Sequence, residues 1–358
     1  MMASLAGARA GHRQPFIEIA HSDFERLAAH IDSREFEGKT ILMSGATGFF
    51  GMWMLAYFSW LHDAGKQRFR LLAISRDPTQ FEQKHAWIAN AEWLHWITGD
   101  IRNFEFPVEP VDYVIHAATD TSAQAGRSPR VLLESIIGGT RHILDCAKAC
   151  RAPRVLLVSS GGAYGGQALD VPRLVETSRT APSTMDIGAA YGEGKRVMEL
   201  LGTIHAYETS CEVVSARCFA FVGAGLPLDG HFAIGNFIRD ALTQDRIVIH
   251  GDGKSVRSYL YAADLVGWLM RLLLKGGNRE IYNVGSDAEI TIDELARAVI
   301  ATLAPSKTVV IDGMVTDPGA GNRYVPSVDL VREQLGLDVW TPLPLAIQNT
   351  ALLAPALT

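Results

Sequence analysis

Between Thr40 and Leu61 the chain reads TILMSGATGFFGMWMLAYFSWL, a run with no charged residue. Its length would suffice to cross a bilayer. Its interior argues against that. Thr40–Ser44 reads as a short β-strand and Phe49–Leu61 as an apolar helix. Between them Gly45-Ala46-Thr47-Gly48-Phe49-Phe50-Gly51 forms a glycine-rich turn. Both flanking pieces suit a parallel α/β domain, where strands are covered on both faces and read as continuous apolar segments. A soluble fold with no membrane partner is expected.

The rest of the chain repeats this alternation. Arg70–Ser75, Trp93–Thr98, Val111–His116, Arg154–Ser159 and Glu212–Ala216 read as strands. Pro78–Ile88, Ser128–Cys150 and Ala189–Tyr207 read as the helices between them. Strands alternating with helices imply βαβ units and a doubly wound Rossmann sheet over residues 39–217. Beyond 217 glycine and proline rise and the elements shorten. Phe232–Leu242, Leu260–Leu274 and Ile292–Leu303 read as helices and Arg246–His250 as a strand. Residues 218–358 are expected to form a smaller mixed α/β region, interleaved with the first. Residues 1–38 form an extension, with a short helix capped by Ser22 or Asp23 and an apolar face of Leu27, Ala28 and Ile31.

The 358 residues are 48% hydrophobic and 20% charged, which excludes a mostly disordered chain. The net charge of −6 disfavours a nucleic-acid partner. Cys146, Cys150, Cys211 and Cys218 have no C-x-x-C spacing and no zinc-ligand pattern around them. They read as idle thiols in a reducing, cytoplasmic compartment, and no metal is expected. The segment MMASLAGARAGHRQPF lacks the apolar core of a secretory signal.

The glycine turn carries the first chemistry. In a strand–turn–helix setting, glycines let backbone approach a pyrophosphate, and the helix N-terminus presents free N–H groups to the anion. Gly45, Thr47, Gly48, Phe49, Phe50 and Gly51 are therefore the expected cradle of NAD or NADP. At the end of the second strand stand Ser75 and Arg76, with no carboxylate to hold a ribose 2′-hydroxyl. A guanidinium there suits a 2′-phosphate, which favours NADP slightly. The alternative is NAD, served by Asp77 or a backbone group. Asp100 and Ile101, after the third strand, are expected near the adenine. Further on, Tyr191 and Lys195 stand at i and i+4, one face of a helix. A phenol beside an ammonium and a nicotinamide cation is driven towards phenolate and serves as acid or base.

Taken in order, these motifs resemble the extended short-chain dehydrogenase/reductase family, the NAD(P)-dependent epimerase/dehydratase group acting on nucleotide sugars. The resemblance extends over about residues 39–350. It includes Asp100-Ile101, His116-Ala117-Ala118, Ser159-Ser160-Gly-Gly-Ala-Tyr164-Gly165, Tyr191–Lys195, Gly251-Asp252-Gly253 with Arg257, Tyr261 with Asp264, and Tyr282-Asn283-Val284-Gly285. It implies that Tyr191 is the acid/base for a sugar hydroxyl and that Ser160 hydrogen-bonds the reacting oxygen. Lys195 would bind the nicotinamide ribose and lower the Tyr191 pKa. Ala117 and Ala118 would line the cofactor path, and Arg257 and Arg323 would neutralise the diphosphate of a nucleotide-sugar substrate. A homodimer paired through the Ser128–Cys150 and Ala189–Tyr207 helices is also implied.

The departures from the family pattern narrow the chemistry. Dehydratases of the group place an Asp-Glu pair directly after the site Ser/Thr. Here Gly161 and Gly162 stand there, which argues against elimination and against a decarboxylase using a Glu at that place. Glu193 is turned away from Tyr191 by its helix angle. Ile136 and Ala220 occupy two customary asparagine positions, and Asn236 is the expected replacement for a substrate contact. Ser258 follows Arg257 where an Asp is common. The expected activity is a nucleotide-sugar epimerase, with reversible hydride transfer at a sugar hydroxyl carbon. The alternatives are an NADPH-dependent 4-ketosugar reductase and, from another class, a non-catalytic NADP-binding regulator.

Overall fold

The computed structural model describes residues 15–31, 34–65, 67–119, 128–168, 170–230, 232–313 and 322–353. The chain opens with helix α1 (Pro15–Leu27) and then runs β1 (Thr40–Ser44), α2 (Phe49–Asp63), β2 (Arg70–Ser75), α3 (Pro78–Lys84), β3 (Leu94–Thr98) and β4 (Tyr113–His116). Next come α4 (Pro129–Ala149), β5 (Arg154–Ser160), α5 (Ala190–Glu208) and β6 (Glu212–Cys218). The more irregular half holds β7 (Phe221–Val222), α6 (Ala233–Thr243), β8 (Arg246–Ile249), β9 (Val256–Arg257), β10 (Leu260–Tyr261), α7 (Ala262–Lys275) and β11 (Ile281–Val284). It ends with β12 (Ile290–Thr291), α8 (Ile292–Leu303), β13 (Thr308–Ile311), β14 (Arg323–Tyr324), α9 (Asp329–Leu335) and α10 (Leu343–Ala351).

The uncharged run divides as its glycines foretell. β1 is an interior strand of a seven-stranded parallel sheet ordered β11-β6-β5-β4-β1-β2-β3. Residues on β1 alternate between two cores. Ile41 and Met43 pack in the layer that holds α2 and α7, and Leu42 in the layer that holds α4 and α5. α2 is buried along almost its whole length, from Gly51 to Leu61. Its lack of charge is that of a core helix. Among the described residues no helix is long and apolar enough to cross a membrane. The strand order reverses between β1 and β4, and in such sheets ligands bind in the crevice beyond the strand ends at that switch.

The N-terminal helix begins earlier than its sequence suggests. Ser22 and Asp23 lie within α1 and do not cap it. Asp23 is buried and accepts hydrogen bonds from Tyr261 Oη (2.6 Å), Arg26 Nη2 (3.0 Å) and Asn349 Nδ2 (3.3 Å). A carboxylate with three side-chain donors, two of them from distant parts of the chain, gains more there than at a helix end. Phe16, Ala20, Phe24 and Leu27 form the buried face, with Phe24 edge-on to Tyr57 of α2 at 5.4 Å. Asp264 on α7 accepts from the Trp340 and Thr341 backbone N–H groups at 2.8 Å, which fastens the C-terminal segment to the same helix.

Past residue 217 the chain returns to the main sheet once, as β11 beside β6. The remainder makes small sheets. β9 lies between β12 and β14, and β8 pairs with β13. Elsewhere the expected elements shift by a few residues at their ends. The largest change is at Pro78–Lys84, where the helix stops at His85, short of the expected Ile88.

Candidate active site

The turn after β1 fits a dinucleotide by its backbone geometry. Gly45 has φ +77°, and a Cβ on it would meet the Ala117 carbonyl carbon at 2.6 Å and the Ala118 nitrogen at 2.7 Å. A Cβ on Gly51 would lie 2.1 Å from the Gly45 oxygen. Gly48 is exposed and would meet only the Gly45 oxygen, at 3.5 Å, so its outer side is open to an approaching phosphate. Gly48 is also the N-cap of α2 and supplies no side-chain cap, so no side chain competes for the first N–H groups of that helix. Thr47 is exposed beside it. Phe49 and Phe50 contribute backbone here; the Phe50 ring turns inward against Phe221 at 5.0 Å. The close approach of β1 and β4 brings Ala117 and Ala118 to the same crevice. Their N–H groups are held by the Ser44 carbonyl and hydroxyl.

At the tip of β2 the Ser75 hydroxyl accepts from Asp77 N–H at 3.2 Å. Asp77 in turn caps α3 by accepting from Gln80 N–H at 2.9 Å. That leaves Arg76 exposed and in no ion pair among the described residues. Asp100 is clasped by Arg102 (2.7 Å), which holds its carboxyl below the usual carboxylate range. Ile101 packs against Gly139 of α4; a Cβ there would meet it at 3.0 Å.

The three residues expected to be catalytic converge at the end of β5. Ser160 is its last residue, and the short 3-10 turn Gly161–Tyr164 follows directly. α5 lies across this turn and brings the Tyr191 ring beside Ser160: a Cβ on Gly162 would lie 3.4 Å from both the Ser160 Oγ and the Tyr191 ring. Lys195, one turn further along α5, is buried, with Nζ 5.9 Å from the Tyr191 ring centre. Nζ donates to Thr119 Oγ1 (2.8 Å) and the Val158 carbonyl (2.7 Å). Burial pushes its pKa down to about 8. The expectation that Lys195 depresses Tyr191 needs correction. Burial raises the Tyr191 phenol, and the opposing influence is the Ser160 hydroxyl. With the protein alone, desolvation outweighs the ammonium.

Further residues complete the site, and Tyr324, Thr119, Glu199 and Arg217 among them lie outside the motifs. Tyr324, on β14, brings its phenol to the place a side chain on Gly161 would take, 2.6 Å from an added Cβ, and its ring meets Phe219 at 4.7 Å, tilted by 34°. Thr119 orients Lys195. Beneath the trio lies a buried ion pair, Arg217 Nη2 to Glu199 Oε2 at 2.6 Å, with Ser159 Oγ donating to Glu199 at 2.6 Å. Arg217 also lies over the Tyr164 ring at 4.3 Å. His116 hydrogen-bonds Ser44 at 2.8 Å, and burial pushes its pKa down to about 3, so it is neutral.

The three expected substrate residues lie on the C-terminal side. Arg257, half-buried on β9, donates from Nη1 to the Val256 and Asn322 carbonyls at 2.8 Å and forms no ion pair among the described residues. Arg323 is different. It pairs with Glu289 at 2.6 Å and donates to the Pro172 carbonyl, so its charge is already engaged. Asn236 lines a separate cavity of about 360 Å³, together with Asp252 and Ser255. Its amide donates to the Gly230 carbonyl at 3.2 Å, and its Oδ1 is buried with no partner among the described residues. Glu193 turns from the site, as its helix angle implied, to Arg196 at 3.6 Å.

Residues 41–285 match the NAD-dependent epimerase/dehydratase family. The chain is an enzyme of that family. It is 31% identical to UDP-glucuronic acid decarboxylase 2 of Arabidopsis thaliana over 240 residues, 66% of this chain and 52% of that protein. It is 29% identical to UDP-glucuronic acid decarboxylase 1 of Danio rerio over 269 residues, 72% of this chain and 62% of that one. The match thus spans between about half and two thirds of the length of the plant relatives. Its fold is that of UDP-N-acetylglucosamine 4-epimerase from Methanobrevibacter ruminantium, with TM-score 0.77 and 19% identity over 90% of this chain and 100% of that one. It is likewise that of dTDP-glucose 4,6-dehydratase from Streptomyces venezuelae, solved with NAD bound, with TM-score 0.73 and 21% identity over 88% and 97% of the two chains.

Proposed function

We propose that the protein is a nucleotide-sugar epimerase that retains and recycles its dinucleotide. The observation that carries this reading is the convergence of Ser160, Tyr191 and Lys195 beside two glycines. The trio supports proton transfer at a hydroxyl-bearing carbon, and nothing at positions 161 or 162 supports elimination. A bound nicotinamide would supply a reversible hydride acceptor at that carbon. Gly45, Gly48, Gly51 and the first N–H groups of α2 would hold its pyrophosphate. Lys195 would donate to its ribose, and Ala117 and Ala118 would flank it. Tyr191 takes the hydroxyl proton and returns it, while Ser160 fixes the reacting oxygen.

The placement of the substrate follows one strand. Ser255, in the cavity with Asn236, is two residues before Arg257 on β9, and Arg257 pairs in register with Tyr324 on β14. This order supports the nucleotide in the cavity, the diphosphate at Arg257 and the sugar against Tyr324, Ser160 and Tyr191. The unpartnered Asn236 Oδ1 is an acceptor for a base N–H. Arg323, tied to Glu289, would serve the diphosphate only after exchanging that partner. The decarboxylase names of the relatives support a UDP-linked sugar as the first class to try.

Arg76 supports NADP over NAD, since Asp77 is already occupied as a helix cap. It also supports a second reading, a 4-ketosugar reductase with an exchangeable NADPH. The exposed apolar residues Val131 on α4, and Leu200, Ile204 and Tyr207 on α5, support a homodimer through these helices. Four free, buried cysteines support a cytoplasmic setting.

The test begins with protein purified without added nucleotide, denatured and analysed by mass spectrometry. Retained NAD or NADP at near one per chain is expected of the epimerase. The holoenzyme is then incubated with UDP-glucose, UDP-N-acetylglucosamine and UDP-glucuronate and followed by proton NMR. Appearance of the epimer without net cofactor oxidation supports the proposal. Release of carbon dioxide with a UDP-pentose would overturn it in favour of decarboxylation, and stoichiometric NADPH consumption on a ketosugar in favour of reduction.

A further inference from the structure

Below the site, α5 is fastened to the main sheet by two polar side chains one helical turn apart. Lys195 Nζ donates to the Val158 carbonyl at 2.7 Å. Glu199, at i+4 from Lys195 and so on the same face of the helix, accepts from Ser159 Oγ at 2.6 Å. These grips fall on consecutive residues of β5, and the next residue is Ser160. Ser159 also stands in register with Arg217 of β6. Arg217 closes a two-pronged pair on the same carboxylate, Nε to Oε1 at 2.9 Å and Nη2 to Oε2 at 2.6 Å. Its guanidinium lies 4.3 Å from the Tyr164 ring centre, and the Tyr164 hydroxyl donates to Asn283 of β11 at 2.8 Å. One carboxylate thus joins α5, β5 and β6 and, through Arg217, the turn that follows Ser160.

Glu199 and Arg217 are each 6% exposed. At that depth desolvation cancels most of the attraction, and an apolar pair of the same volume would serve stability as well. An apolar pair has no direction to impose. A bidentate fork and a hydroxyl bond hold the carboxylate in one place, and α5 with it. Lys195 has three protons to give, and two of them go to the Val158 carbonyl and Thr119 Oγ1. Where the third points is set by where α5 stands.

We propose that Glu199 is a positioning residue: braced by Arg217, it grips Ser159, fixes α5 on β5, and so places the Lys195 ammonium for the ribose of the dinucleotide. This rests on the reading of Lys195 as a ligand of that ribose. Glu199 acts by placement alone, and no proton or bond changes hands on it.

The experiment reads binding and needs no sugar. The full-length protein, cleared of retained nucleotide, is titrated with NADH or NADPH, whichever the parent binds more tightly, and followed by nicotinamide fluorescence. Changing Glu199 alone would strand the Arg217 charge, so both partners are replaced together. Glu199→Met with Arg217→Met removes both charges and the acceptor for Ser159. It is expected to melt close to the parent and to bind about five- to tenfold more weakly. Glu199→Gln with Arg217→Met gives Ser159 back an acceptor and is expected to recover most of that loss. Lys195→Met is expected to weaken binding about tenfold or more, and on that background the first double substitution should cost nothing further. If the first double substitution does not fold, Ser159→Ala, which removes only the hydroxyl, goes through the same cycle with the same criteria. Unchanged binding after loss of the Ser159 grip overturns the inference. So does an equal loss on the Lys195→Met background, or no recovery with Glu199→Gln. If Lys195→Met binds as the parent does, the ribose reading itself falls, and this inference with it.

Discussion

The two walls of the cleft are built differently. The wall proposed for the dinucleotide is made of backbone: β1 and β4 approach so closely at Gly45 that a methyl group would strike the Ala117 carbonyl. The wall proposed for the substrate is made of side chains on strands of two residues, β9 and β14, joined to each other far from their sequence neighbours. A wall of backbone tolerates almost no substitution but takes any chemistry above it. A wall of side chains can be rewritten one residue at a time.

The largest effect should come from the first wall. Gly51→Ala places a Cβ 2.1 Å from the Gly45 oxygen and should cost about 3 kcal/mol or more through overpacking. Dinucleotide binding by fluorescence titration and the melting temperature should fall together. If Gly51→Ala binds as well as the parent, the contrast between the walls is mistaken.

Tyr191→Phe should lower turnover by about 10²- to 10⁴-fold while the dinucleotide affinity stays nearly unchanged. Steady-state kinetics beside direct cofactor titration checks both halves of that statement. Arg257→Ala should raise the substrate KM by about ten- to a hundredfold, the range of a hydrogen bond to a charged group. Arg323→Ala should raise it far less, since Glu289 already holds that charge. Equal losses from the two arginines would place Arg323 on the substrate after all.

The smallest effect is in stability. Lys195 keeps its proton up to about 10.5 in the unfolded chain but only to about 8 in the fold. Between those values the unfolded chain binds the extra proton, so the lysine's contribution to stability rises with pH through that window. Lys195→Met should flatten this rise in denaturant melts taken from pH 8 to 10.5. An unaltered slope would show that Lys195 is not desolvated.

The same contrast explains what could be read from the residues alone. The sheet, the glycine turn and the Tyr191/Lys195 helix are local: their partners lie within a few residues or follow from strand alternation. Arg70–Ser75 and Ile292–Leu303 fall where their patterns put them. Tyr324 and Phe219 escaped notice because nothing near them in sequence points to Ser160. The clue was negative, a glycine at 161 whose missing side chain had to be replaced by something. Asp23 misled for a related reason. Its place before an apolar stripe suits a cap, and only the distant Tyr261 and Asn349 reveal it as a buried clasp.

The return of the chain to the main sheet also governs how the molecule is made. β6 ends at Cys218, but its outer neighbour β11 is not synthesised until Val284. Until then the ribosome presents a nascent sheet with a bare, apolar edge, the kind of surface that recruits a second copy. Expression fragments ending between these two points should collect in inclusion bodies, and those extending past β11 should not.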